Sequence, residues 1–484
     1  MLVPVYLSYW DAPVYGLWLA VQAFVIQVQT LDLGYQTHIG REYIKVFVNH
    51  RDRFDVFLST SLLYGRLVAL VEAIGFYAFY RFDLANRLFG NTGIDPVALD
   101  QAAIFLVVQS SLYCLAGSSA ALLGKAVIPF QYNPRVAWWN VGIASGSVVA
   151  SAVAVILWGN ILSVGLAFSG ISFALNILLI LDTRRILKRH GVISPKPDMR
   201  LGFSNLLRSF VIIAISFIDS LRQQGIRLVI SQWLDLSRLT QFATTRTIAN
   251  LVMQGANSVF WPISPELQKL IHKRDHQRTT SLLWLMWAFS CGILAPCLIA
   301  IQPFAETLFL WWTHDKIHFD STLFVMFSIT ALFYASNRPA TQVITGFNFL
   351  KPQILLTLSS VLILFTSIVL FIQDFGIKGI AGALLLTEFF NLVAATAIAS
   401  HLLIQHGLSW PTRSFHFIVG YIFIASVCSF TVAIHPEFAF IVIPCSLIGL
   451  FIILLLMFRQ LPTATKYYVS NISRRFLGDR KFFL

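Results

Sequence analysis

Apolar residues along this chain come in runs of about twenty, the length a helix needs to cross the hydrocarbon core of a bilayer, with polar residues gathered in short connectors. Thirteen such runs predict helices over 14–32, 55–80, 101–124, 137–158, 161–181, 204–230, 239–262, 281–301, 321–342, 353–373, 377–400, 414–433 and 438–458. The connectors from Arg81 to Asp100 and from Gln302 to Asp320 hold only about twenty residues each, too few for an inserted soluble domain. The expected fold class is therefore an all-α polytopic membrane protein with about thirteen transmembrane helices.

Composition agrees. Hydrophobic residues fill 57% of the 484 positions and charged residues 12%, where soluble domains carry about a quarter. At a mean hydropathy of +0.73 the apolar residues exceed what one water-surrounded core could hide, which excludes a soluble enzyme.

A net charge of +13 would suit nucleic acid if the cations were clustered on one face, but they are placed otherwise. Of 35 Lys and Arg, 25 lie in alternate connectors and the tail: Arg41 to Arg53, Lys125 and Arg135, Arg184 to Arg200, Lys269 to Arg278, Arg338 and Lys351, Arg413, and Arg459 to Lys481. The opposite connectors hold Arg81, Arg87, Arg238, Lys316 and Lys378 among acids such as Asp95, Glu306 and Asp320. This asymmetry follows the positive-inside rule and puts the C-terminus in the cytoplasm, with no nucleic-acid partner expected. An odd helix count then leaves the N-terminus outside.

Cys114, Cys291, Cys297, Cys428 and Cys445 sit in apolar stretches without metal-ligand spacing and read as filler. The start Met1-Leu2-Val3-Pro4 lacks the basic region and cleavage site of a removable signal peptide.

A shift of 224 residues superposes the first predicted helix on the seventh: Asp11 on Asp235, Trp18 on Phe242, Gln22 on Arg246, Glu42 on Glu266 and Lys45 on Lys269. The shift crosses six helices, so both copies run in the same direction, as in parallel-repeat transporters. The divide falls in the basic 182–203 connector, broken by Pro195 and Pro197. The expected units are an N-lobe over 1–200, a C-lobe over 201–405, and two additional helices with a basic cytoplasmic tail over 406–484.

Eight charges inside predicted spans carry information: Arg66, Arg208, Arg222, Arg227, Arg246, Glu72, Asp219 and Glu388. A cation at mid-membrane costs about 2.5–3.5 kcal/mol on insertion scales unless it meets water or a partner. At about 100° per residue, Arg208, Asp219 and Arg222 share one face of the sixth helix, with Asp219 and Arg222 spaced for an ion pair. On the seventh, Arg246, Asn250, Gln254 and Asn257 form a second polar stripe. Arg208 and Arg227, near span ends, can reach the interfaces. Arg246 has no acid nearby on its own helix, and Arg66 has only Glu72, on another face.

Guanidinium groups in a wet cavity hold phosphate or carboxylate bidentately, so the implied ligand is anionic. Arg66, Arg246, Arg222, Asn250 and Gln254 are the candidate binding residues, and Asp219 the gating partner of Arg222. Glu72 and Glu388 are candidates for proton or cation coupling, because burial disfavours the charged form of a carboxylic acid. For Glu388, beside Thr387 and Asn391, a hydrogen bond to a neighbouring helix explains the residue better.

Gly117 to Lys125 spaces its glycines wrongly for a nucleotide-binding loop and reads as a packing face, as does Gly142-x-x-x-Gly146. There is no HExxH and no GxSxG, so catalysis has no evident seat and no enzyme is expected.

The run Pro13-Val14-Tyr15-Gly16-Leu17-Trp18, then Leu31-Asp32-Leu33-Gly34-Tyr35 and a basic segment, resembles the opening of bacterial polysaccharide flippases, the O-antigen and exopolysaccharide exporters of the MATE-like MOP superfamily. The stretch from Asp219 through Leu234-Asp235 and Thr247-Ile248-Ala249 to Trp261-Pro262-Ile263-Ser264-Pro265-Glu266-Leu267 resembles their middle region.

The resemblance implies a bacterial inner-membrane protein that passes undecaprenyl-diphosphate-linked oligosaccharide from the inner to the outer leaflet. Two six-helix lobes would alternate about a cationic cavity, with proton or sodium coupling and no other cofactor. A polysaccharide polymerase and chain-length proteins would be its partners. It also implies a first helix preceding Pro4-Val5-Tyr6-Leu7, which would bring thirteen helices to fourteen. The alternatives are a MATE-type multidrug antiporter, whose cavity should favour acids, and a membrane-bound sugar polymerase or acyltransferase, which should carry a long outer loop or a buried catalytic His.

Overall fold

The computed structural model describes residues 3–84, 95–192, 196–347 and 350–459. Arg87, Pro195 and the basic tail beyond Arg459 lie outside the described residues, and nothing is described of the Pro262, Pro265 and Cys291 side chains. Among the described residues the chain is all-α, without a strand.

All thirteen predicted helices are present. After a short α1 (Val3–Tyr9) come α2 (Ala12–Asn49), α3 (Phe54–Arg81), α4 (Pro96–Leu112), α5 (Ser118–Ala126), α6 (Asn133–Trp158), α7 (Ile161–Arg189), α8 (Met199–Ser220) and α9 (Ile226–Trp233). Then follow α10 (Leu236–His272), α11 (His276–Phe289), α12 (Ala295–Ile301), α13 (Ala305–Thr313), α14 (Ser321–Gly346), α15 (Leu350–Gln405), α16 (Thr412–Ile434) and α17 (Ala439–Arg459). Gly376, at φ 56 and ψ −129, breaks α15 into the tenth and eleventh predicted helices. Single π-turns at Tyr113–Gly117, Leu221–Gly225 and Ser290–Leu294 join α4 to α5, α8 to α9, and α11 to α12. Such turns recur at functional sites because they rotate one side chain out of register.

Helix starts follow a local rule. Asp95, Asn160, Asp198, Asp235, Asp275 and Asp320 each accept a backbone N–H of the first turn with the side chain. The repeat is visible in these starts, since α2 and α10 begin at Ala12 and Leu236, each directly after its aspartate of the pair Asp11 and Asp235.

Packing contacts group the chain into two compact units, Met1–Gln241 with Trp312–Ile317, and Phe242–Trp311 with His318–Leu484. The lobes expected from sequence follow the repeat, whereas this grouping follows contacts: α8 packs along α2, so it counts with the first unit. Gly34 permits that approach, because a Cβ there would lie 2.5 Å from the Ile213 Cα.

In the first unit Tyr35, Tyr43, Phe54, Phe57, Leu122 and Ile213 form a common core. In the second, Trp284, Trp287, Phe260, Trp410 and Tyr421 do so. Away from the cores the helices stay apolar: Val141, Val149, Val153 and Ile156 are exposed along one helix, and Leu355, Leu362, Val369 and Leu370 along another. Nine helical segments among the described residues are long and apolar enough to cross a membrane. Water would penalise such surface, whereas lipid does not.

Candidate functional site

In the first unit the structure assembles a network that the sequence reading missed. Asp32, fully buried on α2, accepts 2.7 Å hydrogen bonds at Oδ2 from the Tyr113 hydroxyl and from Gln36 Nε2. Gln36 Nε2 also donates to the Tyr113 oxygen at 3.0 Å. Glu72, 4% exposed on α3, accepts the Asp32 backbone N–H at 3.0 Å. Glu72 Oε2 and Asp32 Oδ1 are buried without a hydrogen-bond partner among the described residues. Two carboxyl groups so placed, in no ion pair among the described residues although the Lys125 charge acts on Asp32, can seat a proton or small cation.

Local structure explains the aim of Tyr113. It opens the Tyr113–Gly117 π-turn, and Gly117 faces its ring, so that an added Cβ would sit 2.8 Å from Cε2. Ser118 secures the turn against α3 by donating to the Gly65 carbonyl at 3.2 Å. A sequence signal for the network existed, since Asp32 and Gln36 are polar neighbours at i and i+4 on an apolar helix.

Arg66 does not join this network. It is exposed, and its Nε donates to the Ser119 hydroxyl at 3.0 Å. The expected pairing of Asp219 with Arg222 is present at 3.6 Å, Arg222 being the more buried side chain, and the Leu221–Gly225 π-turn carries it. Arg208 is exposed.

In the second unit Arg246 is half-buried on α10, its guanidinium carbon 6.0 Å from the Phe242 ring centre. Asn250 is half-buried and Gln254 exposed on the same helix. Asn257 ends the stripe by donating its Nδ2 to the Tyr334 hydroxyl of α14 at 3.1 Å. Glu388 is buried on α15 between Thr387, which donates to the Ala383 carbonyl, and Asn391, which accepts from the Ser360 hydroxyl.

Arg338 counts by charge among the connector cations although the predicted helix over 321–342 spans it, and the structure sides with the predicted helix. It lies inside α14, two turns before the end at Gly346, with its guanidinium carbon 5.2 Å from the Tyr334 ring centre. The helix runs on to Gly346, past the predicted end at 342, where Gln342 is buried in the unit.

Of the two packing glycines expected on α6, only Gly146 meets a neighbour, Leu175, and Gly142 faces open space. Cys114, Cys297, Cys428 and Cys445 are free thiols. No cluster of metal-ligating side chains occurs among the described residues.

No family model matches the chain, and no curated protein matches it. Solved structures do. An inward-facing multidrug resistance MATE family transporter of the MOP superfamily aligns with a TM-score of 0.64 at 10% identity, over 84% of this chain and 94% of that one. The lipid II flippase MurJ, in an inward closed conformation, aligns with a TM-score of 0.63 at 14% identity, over 98% of this chain and 96% of that one. A MATE transporter in complex with MaD5 aligns at 0.55 and 11% identity, over 84% and 93%. The chain is a multi-pass membrane protein with the fold shared by MATE transporters and MurJ.

Proposed function

We propose that this chain is a flippase, moving undecaprenyl-diphosphate-linked oligosaccharide from the inner to the outer leaflet of the bacterial inner membrane by alternating access along a path lined with cations. The observation that carries the reading is the face of α10 on which Arg246, Asn250, Gln254 and Asn257 follow one another within a membrane protein. A guanidinium within the membrane is costly unless it meets water or a partner, and its planar fork matches a diphosphate.

In this reading Arg66 and Arg222 in the first unit and, separately, Arg246 in the second each offer a guanidinium contact to the diphosphate, with Asn250 and Gln254 donating and accepting along the face of Arg246. Asp219 withdraws from or returns to Arg222 as the path opens, and Asp32 with Glu72 carries the coupling proton or sodium ion. Glu388 keeps a structural role among Thr387, Asn391 and Ser360. Moving a lipid between leaflets breaks no covalent bond, so the protein needs no catalytic group and is a transporter. That one of the similar folds is a lipid II flippase, aligned over nearly the whole chain, supports the same substrate class. A polysaccharide polymerase and chain-length proteins are the partners this role calls for.

The test is a lipid extraction from a strain lacking the gene, measuring undecaprenyl-linked oligosaccharide, with complementation by the wild type and by Arg246→Ala. Accumulation cured by the wild type and not by a membrane-inserted Arg246→Ala supports the reading. No accumulation, with new sensitivity to cationic drugs, sinks it. That second outcome would favour a MATE-type cation-coupled antiporter, for which the buried Asp32 and Glu72 pair speaks, since buried acids also suit a cationic substrate.

A further inference from the structure

Pro339 stands inside α14 and has no N–H to offer, so the Ala335 carbonyl one turn earlier loses its helical donor. The Ser290 hydroxyl, at the start of the Ser290–Leu294 π-turn, donates to that carbonyl at 3.3 Å. Trp287 Nε1 donates to the next one, of Ser336, at 3.0 Å. The Ser290 hydroxyl, which also reaches the Met286 carbonyl at 3.2 Å, thus faces the one acceptor that the proline leaves without a helical donor, and Trp287 adds a second tie to the same stretch of α14.

The segment so braced presents Arg338. Tyr334, one turn back, lies under its guanidinium and is itself fixed by Asn257. Arg338 Nε is buried without a hydrogen-bond partner among the described residues, and so is Asn337 Oδ1 beside it. An arginine whose face is stacked and whose backbone is clamped has its donor edge fixed in direction, and a buried donor of this kind calls for an acceptor.

We propose that Arg338, with Tyr334 and Asn257, forms a second oxyanion-binding station, distinct from Arg246. Asn257 lies eleven residues along α10 from Arg246, a rise of about 16 Å, so one anion cannot occupy both at once. The inference rests on the flippase reading and deepens it: the anionic group of the substrate would be held in turn at two places on α10. The group is a tetrahedral phosphate or a planar sugar carboxylate, both of which fit a guanidinium fork.

The experiment measures the thermal midpoint of the full chain in nanodiscs, titrated with inorganic pyrophosphate and, separately, with glucuronate. It compares the wild type, Arg246→Ala, Arg338→Ala, Arg338→Lys and the Arg246→Ala/Arg338→Ala double variant, with Arg338→Gln in case the alanine variant fails to fold. Removing Arg338 in the Arg246→Ala background is expected to weaken the response at least tenfold, with Arg338→Lys intermediate because it keeps the charge but loses the fork. A response to pyrophosphate assigns the station to the diphosphate, and a response to glucuronate alone assigns it to a uronate. If Arg246→Ala weakens binding and Arg338→Ala or Arg338→Gln does not, the second station falls while the flippase reading stands. If the wild type responds to neither anion, both fall.

Discussion

Gly117→Ala should act through a ring one turn away rather than through its own backbone. The new Cβ would stand 2.8 Å from Tyr113 Cε2 and 3.1 Å from Cγ, so the ring must retreat. A move of about 1 Å takes its hydroxyl away from Asp32 Oδ2, now at 2.7 Å, and from Gln36. A hydrogen bond to a charged or strongly polar buried group is worth about 1.5–3 kcal/mol, against which alanine gains about 0.8–1.0 kcal/mol over glycine in helix propensity. The net destabilisation should therefore be about 0.5–2 kcal/mol.

In a Tyr113→Ala background the three nearest atoms are gone, and the same substitution should change sign and stabilise by up to about 1 kcal/mol. Equilibrium unfolding of the four proteins of this cycle in one detergent measures both values. Equal destabilisation by Gly117→Ala in the two backgrounds would refute the claim that Gly117 exists to aim Tyr113.

Gly34→Ala places its Cβ against the Ile213 backbone, which cannot turn aside as a side chain can, so a loss of at least about 1–3 kcal/mol is expected in the same unfolding assay. Gly376→Ala meets no atom within 4 Å but must adopt φ 56 and ψ −129, a cost of about 1–3 kcal/mol that should appear in the unfolding midpoint without loss of membrane insertion. Arg135→Ala breaks a two-pronged pair with Asp182 at 2.8 and 2.7 Å, yet its side chain is 55% exposed and Trp139 still donates to Asp182; the change should stay within about 1 kcal/mol, and complementation should be unaffected. Asp32→Asn keeps an acceptor for Tyr113 and Gln36 but removes the acid; transport in vesicles should lose its dependence on an imposed proton or sodium gradient, and unaltered coupling would remove Asp32 from that role.

The helices were legible in the chain because each span must satisfy its own backbone within the bilayer, which makes helix formation a local matter of apolar length. The aspartates and the asparagine that start six helices, the break near Gly376, the 224-residue repeat and the pairing of Arg222 with Asp219 are local in the same sense. Each depends on residues a few positions apart or on comparison of the sequence with itself.

What the sequence could not contain is which polar side chains meet. Asp32 and Tyr113 are 81 positions apart, and only the crossing of α2 with the Tyr113–Gly117 turn makes them partners. The six-residue spacing of Arg66 and Glu72 puts them on different faces, but that one meets the Ser119 hydroxyl and the other the Asp32 backbone follows only from packing. Arg338 lies within the predicted helix over 321–342, but that its guanidinium meets the Tyr334 ring, and that Ser290 and Trp287 bond the carbonyls beside Pro339, depends on the packing of α14 against its neighbours. A charge inside a membrane protein takes its meaning from what the neighbouring helix places against it, and that is decided by packing, where no single helix has the information.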